Sequence, residues 1–195
     1  RKFIIFQPDS LYVLDALGKI FLSENRYSEA VDTYKRLQFY YPEKLEINLS
    51  LAEAYWHLNE FYSAKNVYEK ILMFDDENYD VMLQLGVIYN SLGEFVKAEK
   101  IFHHVINCTI SSMKTYYQLA LTFGNQKKYM QAIIAFYEAI KLAPDDFEIQ
   151  YQLGVAYKEL KIYDKAAYYF ENYLYRNMDD PIAFFLLGTC YLKIN

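Results

Sequence analysis

Residues 113–146 read MKTYYQLALTFGNQKKYMQAIIAFYEAIKLAPDD, and this stretch decides the fold. Tyr116, Leu119, Ala120 and Phe123 recur at i, i+3, i+4 and i+7, the spacing of one apolar face of a helix. Ala132, Phe136, Ala139 and Ile140 set out a second such stripe. Pro144 then stops the second helix and leads into the next, because proline lacks the amide hydrogen and clashes with the preceding turn. The unit reads as helix, turn, helix.

The same unit recurs along the chain. Gly18, Gly86, Gly154 and Gly188 are separated by 68, 68 and 34 residues, and Ala52 and Ala120 fill the missing multiples of 34. Leucine precedes each small residue, at Leu17, Leu51, Leu85, Leu119, Leu153 and Leu187. Alanine follows twelve residues later, at Ala30, Ala64, Ala98, Ala132 and Ala166. Aromatic rings keep the same spacing. Phe21, Tyr55, Tyr89, Phe123, Tyr157 and Tyr191 stand three residues after the small position. Tyr27, Phe61, Phe95, Tyr129 and Tyr163 stand nine after it, and Tyr34, Tyr68, Phe102, Phe136 and Phe170 sixteen after it. These rings account for much of an aromatic content of 19%, with 22 Tyr and 14 Phe.

This pattern resembles the tetratricopeptide repeat, a 34-residue helix–turn–helix unit. With the Leu-small pair at positions 7 and 8, full repeats run 11–44, 45–78, 79–112, 113–146 and 147–180. Helix A should span about positions 2–14 and helix B about 18–30 of each. The resemblance implies an all-α fold, a right-handed superhelical solenoid of antiparallel helix pairs over residues 1–195. Small residues at positions 8 and 20 let the helices approach, and aromatics fill the rest. Two positions depart from the family. At position 4 a large residue is replaced by Asn48 and Gln150. At position 32 proline appears as Pro42 and Pro144, with Asp76, Ile110 and Met178 elsewhere. Pro8 lies 34 residues before Pro42, so residues 1–10 read as the end of a preceding repeat. Residues 181–195 read as a partial repeat or a capping helix. The apolar Ile182, Phe184, Leu187 and Tyr191 favour a piece of a longer array over a polar cap.

Composition excludes several functions. A net charge of −5 argues against a nucleic-acid partner, which requires a basic face. No apolar run approaches the roughly 18 residues of a membrane span, so direct membrane insertion is not expected. The two cysteines, Cys108 and Cys190, are too few for a disulfide scaffold and read as buried thiols. There is no phosphate loop, nucleophile elbow, paired Cys-x-x-Cys or zinc-protease helix, so no catalytic residue, cofactor or enzyme activity is assigned. His103, His104 and Cys108 supply too few ligands for a structural metal. The acidic runs Asp75-Asp76-Glu77, Asp145-Asp146 and Asp179-Asp180 fall at inter-repeat turns, where carboxylates suit helix N-termini.

What remains is a surface. The resemblance implies that A helices line a concave groove through positions 2, 5, 6, 9, 12 and 13. Position 5 gives Leu49, Leu83, Tyr117, Tyr151 and Phe185, and position 9 gives Glu53, Val87, Leu121 and Val155. Position 6 gives Gln84, Gln118 and Gln152, amides that can pair with the backbone of an extended peptide. The stripe is either a partner site or packing between A helices. A partner with apolar or aromatic anchors and some basic residues is expected. The alternative is a structural spacer or self-association module within a larger protein, attached to an enzyme elsewhere. The family's carboxylate clamp needs Lys at position 5, Asn at 9 and Arg at 6, and no window fits, so a chaperone C-terminus is not the expected ligand.

Overall fold

A computed structural model describes residues 8–108 and 112–194, with side chains from Leu11 onward. These residues form eleven α-helices and no strand. They divide into two compact units, one ending at Gly93 and one starting at Glu94. The first holds α1 (Pro8–Ser23), α2 (Tyr27–Tyr40), α3 (Leu45–His57), α4 (Phe61–Phe74) and α5 (Tyr79–Ser91). The second holds α6 (Phe95–Cys108), α7 (Met113–Asn125), α8 (Tyr129–Leu142), α9 (Phe147–Glu159), α10 (Tyr163–Leu174) and α11 (Pro181–Ile194). Within each unit every helix packs on the next one in the chain. Residues 8–10, read from the sequence as the end of a preceding repeat, form the first turn of α1. Residues 1–7, and Ile110 at position 32, lie outside the described residues.

The repeat register explains the packing. All five alanines at position 20 are fully buried. The rings sixteen residues after the small position are buried too, and Tyr34, Phe102 and Phe170 are completely so. A β-carbon on Gly18 would lie 2.8 Å from the Tyr34 ring. The small residue and the ring therefore form one contact, in which the ring of helix B occupies the space that helix A leaves open. The terminal helices lack part of this packing. Leu17 is 37% exposed and Tyr191 is 44% exposed, although both hold core positions.

Each turn from A to B depends on a left-handed residue at position 15. Asn25, Asn59, Gly93, Lys127 and Lys161 all have φ between 59° and 74°. The next amide then donates back to the position-11 carbonyl, as Glu60 does to Tyr55 and Lys128 to Phe123. This closes the helix with the six-to-one bond of a Schellman cap. Four of the turns from B to A are closed by a side chain at position 34, and the exception is Lys44, which makes no side-chain capping bond. Asn78, Ser112 and Asp146 each accept the amide three residues on. Asp180 accepts from the amides of Ile182 and Ala183. The acids Asp146 and Asp180 thus serve as N-caps.

Asn48 at position 4 is 5% exposed and still has partners for its amide. Its Nδ2 donates to the carbonyls of Pro42 and Lys44, and its Oδ1 accepts from Gln38. A buried amide there ties the turn to the helix it introduces. Gln150, the other departure, keeps a buried Oε1 with no hydrogen-bond partner among the described residues. In the second unit Tyr137 bonds through its hydroxyl to those of Tyr157 and Tyr169, at 2.9 and 2.8 Å. Burial, and then the Tyr137 hydroxyl, push the Tyr157 phenol up to about 12.

Candidate functional site

Two of the pockets on the A helices, one in each unit, gather several of the expected groove positions. In the first unit a pocket of about 340 Å3 is lined by Leu49, Glu53, Trp56 and His57 of α3, Tyr68 of α4, and Gln84 and Ile88 of α5. Leu49, Glu53 and Gln84 were expected on this face from the sequence. Trp56 and His57 hold positions 12 and 13, which the family resemblance also assigns to the groove. The floor is Tyr68, 6% exposed. Burial, and then the Glu53 charge, raise its phenol to about 12, so it stays neutral. His57 stacks face to face on Tyr27 at 4.2 Å.

In the second unit a pocket of about 260 Å3 opens between α7 and α9. Leu121, Gln152 and Val155 line it, as the sequence suggested, together with Asn125, Tyr129 and Glu159. Gly124 at position 12 also lines it, and a β-carbon there would meet nothing within 4 Å. The absence of a side chain at that position helps to open the pocket.

The remaining expected residues are placed differently. Leu83 is 8% exposed and belongs to the core, so it offers a ligand little surface. Tyr117 and Tyr151 are half-buried, and each ring packs 5.8 Å from the phenylalanine of its own repeat, Phe136 and Phe170. The Tyr117 hydroxyl reaches Glu148 at 3.4 Å. Burial, and then Glu148, raise the Tyr117 phenol. Burial, and then Asp180, raise that of Tyr151. Both tyrosines therefore join helices. Val87 and Gln118 are half-buried outside both pockets, and Phe185 is exposed on α11. Gln152 is not free, because its Nε2 donates to Glu148 at 2.9 Å.

No described group of three or more His, Cys, Asp or Glu residues has the geometry to hold a metal. His104 and Cys108 approach to 3.8 Å, as their spacing allows. Cys108 is exposed rather than buried, because it ends helix B at position 30, where Tyr40, Phe74 and Leu142 also face solvent. No described helix is long and apolar enough to cross a membrane.

Family models for the tetratricopeptide repeat match residues 16–72, 114–146 and 148–177, more than half of the 195 residues. The chain belongs to the tetratricopeptide repeat family. No curated protein matches it. Solved structures share the fold at low identity. MamA 41-end from Desulfovibrio magneticus RS-1 superposes with a TM-score of 0.79 at 18% identity, over 90% of this chain and 100% of that one. A thermophilic TPR protein of Thermus thermophilus gives 0.70 at 16%, over 93% and 99%. The APC/C hetero-tetramer Cut9–Hcn1 gives 0.75 at 20%, over 93% of this chain and 36% of that one.

Proposed function

We propose that this protein is an interaction scaffold that holds an extended segment of a partner protein on its A-helix face. The observation that carries the reading is the pocket between α7 and α9. There Leu121, Val155 and Gln152 from successive repeats surround an open, partly apolar cavity. Such a surface buries an apolar anchor, while nearby amides bond to an extended backbone. Family membership supports a binding role over a catalytic one, and the Cut9–Hcn1 assembly is a member of the fold in complex with another protein. The clamp residues that hold a chaperone carboxylate are missing, so the anchor is a side chain.

Selection of displayed peptides on the wild-type chain tests this reading. Selected peptides should lose at least about tenfold in affinity on Leu121→Asp or Val155→Asp. They should be unaffected by Tyr168→Ala, which changes an exposed residue of α10. Peptides indifferent to both pocket changes and abolished by Tyr168→Ala would overturn it.

One observation favours a second reading, self-association. Ile182, Phe184, Phe185 and Leu192 of α11 are 51–79% exposed, an apolar face that a second chain would cover. Light scattering at rising protein concentration tests it, and a constant monomer mass would remove it.

A further inference from the structure

The pocket of the first unit differs in chemistry from that of the second. Its walls are aromatic and apolar, from Trp56, Tyr68 and Leu49, and its polar groups are Glu53, Gln84 and His57. Glu53 is exposed and makes no hydrogen bond or ion pair among the described residues. The other acids of this face behave similarly. Lys19 is held by Asp15 at 2.6 Å, which leaves Glu46, Glu53 and Asp80 with no ion pair among the described residues. The aromatic rings nearby show the opposite arrangement. Arg26 lies over Phe21 at 4.4 Å and Lys35 over Tyr55 at 5.4 Å. Trp56 has no such cation among the described residues, although indole is the best of the rings at binding one. The pocket thus combines a carboxylate with no ion pair among the described residues, an indole that meets the edge of Phe61 at 5.2 Å but no cation, and the Gln84 amide.

We infer that this pocket receives an arginine side chain of a partner segment. The guanidinium is planar and presents its donors as a fork, so it can pair with the Glu53 carboxylate and the Gln84 carbonyl while stacking on Trp56. Its methylene stem lies along Leu49. The volume, about 340 Å3, falls at the lower end of the roughly 300–1,000 Å3 of ligand pockets and suits one side chain better than a large ligand. The inference rests on reading the A-helix face as the binding face, and it adds the residue class that enters this half of it.

Trp56 is the only tryptophan in the chain, so its fluorescence reports on this pocket alone. The probes are a capped Ala-Arg-Ala tripeptide and its capped Ala-citrulline-Ala counterpart, which has the same shape without the charge. The arginine peptide should change the Trp56 emission saturably and bind more tightly at low salt. Glu53→Gln should weaken it at least about fivefold, a substitution that breaks no bond of the fold. The citrulline peptide should bind at least as weakly to the wild-type chain. Equal binding of the two peptides, or wild-type affinity in Glu53→Gln, would overturn the arginine pocket. If the displayed peptides still depend on Leu121 and Val155, the groove reading survives that failure. If they do not, both fail together.

Discussion

A methyl group on Gly154 would sit 2.8 Å from two carbons of the Phe170 ring. Phe170 is fully buried and cannot swing aside. Gly154→Ala should therefore lower stability by about 1–3 kcal/mol, the usual cost of overpacking. At Gly188, the same position on α11, an added β-carbon meets nothing within 4 Å. Gly188→Ala should be neutral, or stabilising by up to about 1 kcal/mol, because alanine is the better helix former. Urea melts of the two variants make the comparison.

The turns offer a stabilising route. Lys127 and Lys161 adopt φ of 60° and 62°, a region that costs a side chain about 1–2 kcal/mol and glycine almost nothing. Part of that gain is lost because glycine makes the unfolded chain more flexible. Lys127→Gly and Lys161→Gly should each add about 0.5–1 kcal/mol. Gly93→Ala should remove about 1 kcal/mol, with no steric contribution, since nothing lies within 4 Å of the added carbon. Denaturant midpoints of the three single variants provide the check.

Asn48→Ala should cost about 1–3 kcal/mol, because it removes the amide that links the Pro42 and Lys44 carbonyls to Gln38 and leaves the half-buried Gln38 amide short of a partner. A double-mutant cycle with Gln38→Ala should give a coupling of at least about 0.5 kcal/mol. Zero coupling would mean that the 2.6 Å bond between them contributes nothing in solution.

Acid should loosen α11 first at its N-terminus. The amide of Ala183, the Tyr173 hydroxyl and the amide of Ile182 hold the Asp180 carboxyl below its usual value of 3.8. A carboxylate depressed in the folded state adds stability that is complete above its unfolded pKa and lost as pH falls through the folded one. Amide exchange of Ile182 and Ala183 should therefore accelerate, relative to its intrinsic rate, below about pH 4. In Asp180→Asn that pH dependence should disappear.

The helix pairs and their register could be read from the repeats alone. Leu-Gly or Leu-Ala, then an aromatic, then alanine recur every 34 residues, and each helix must bury that stripe whatever its neighbours are. The N-caps Asp146 and Asp180 were legible for the same local reason: a short acid before a helix can reach the free amides of its own chain. The left-handed turn residue was half legible. Asn25, Asn59 and Gly93 are the usual choices, but Lys127 and Lys161 hide it, because the closing bonds and the packed helices impose the conformation there. Which of the expected positions lie on the surface depends on the packing of the folded chain. Position 5 is a buried Leu83 in one repeat, a helix-linking Tyr117 or Tyr151 in others, and an exposed Phe185 on α11. Exposure depends on the side chains of adjacent repeats across space, and sequence spacing carries no record of them. The same holds for the pocket that joins Glu53, Trp56 and Gln84, whose walls come from α3, α4 and α5.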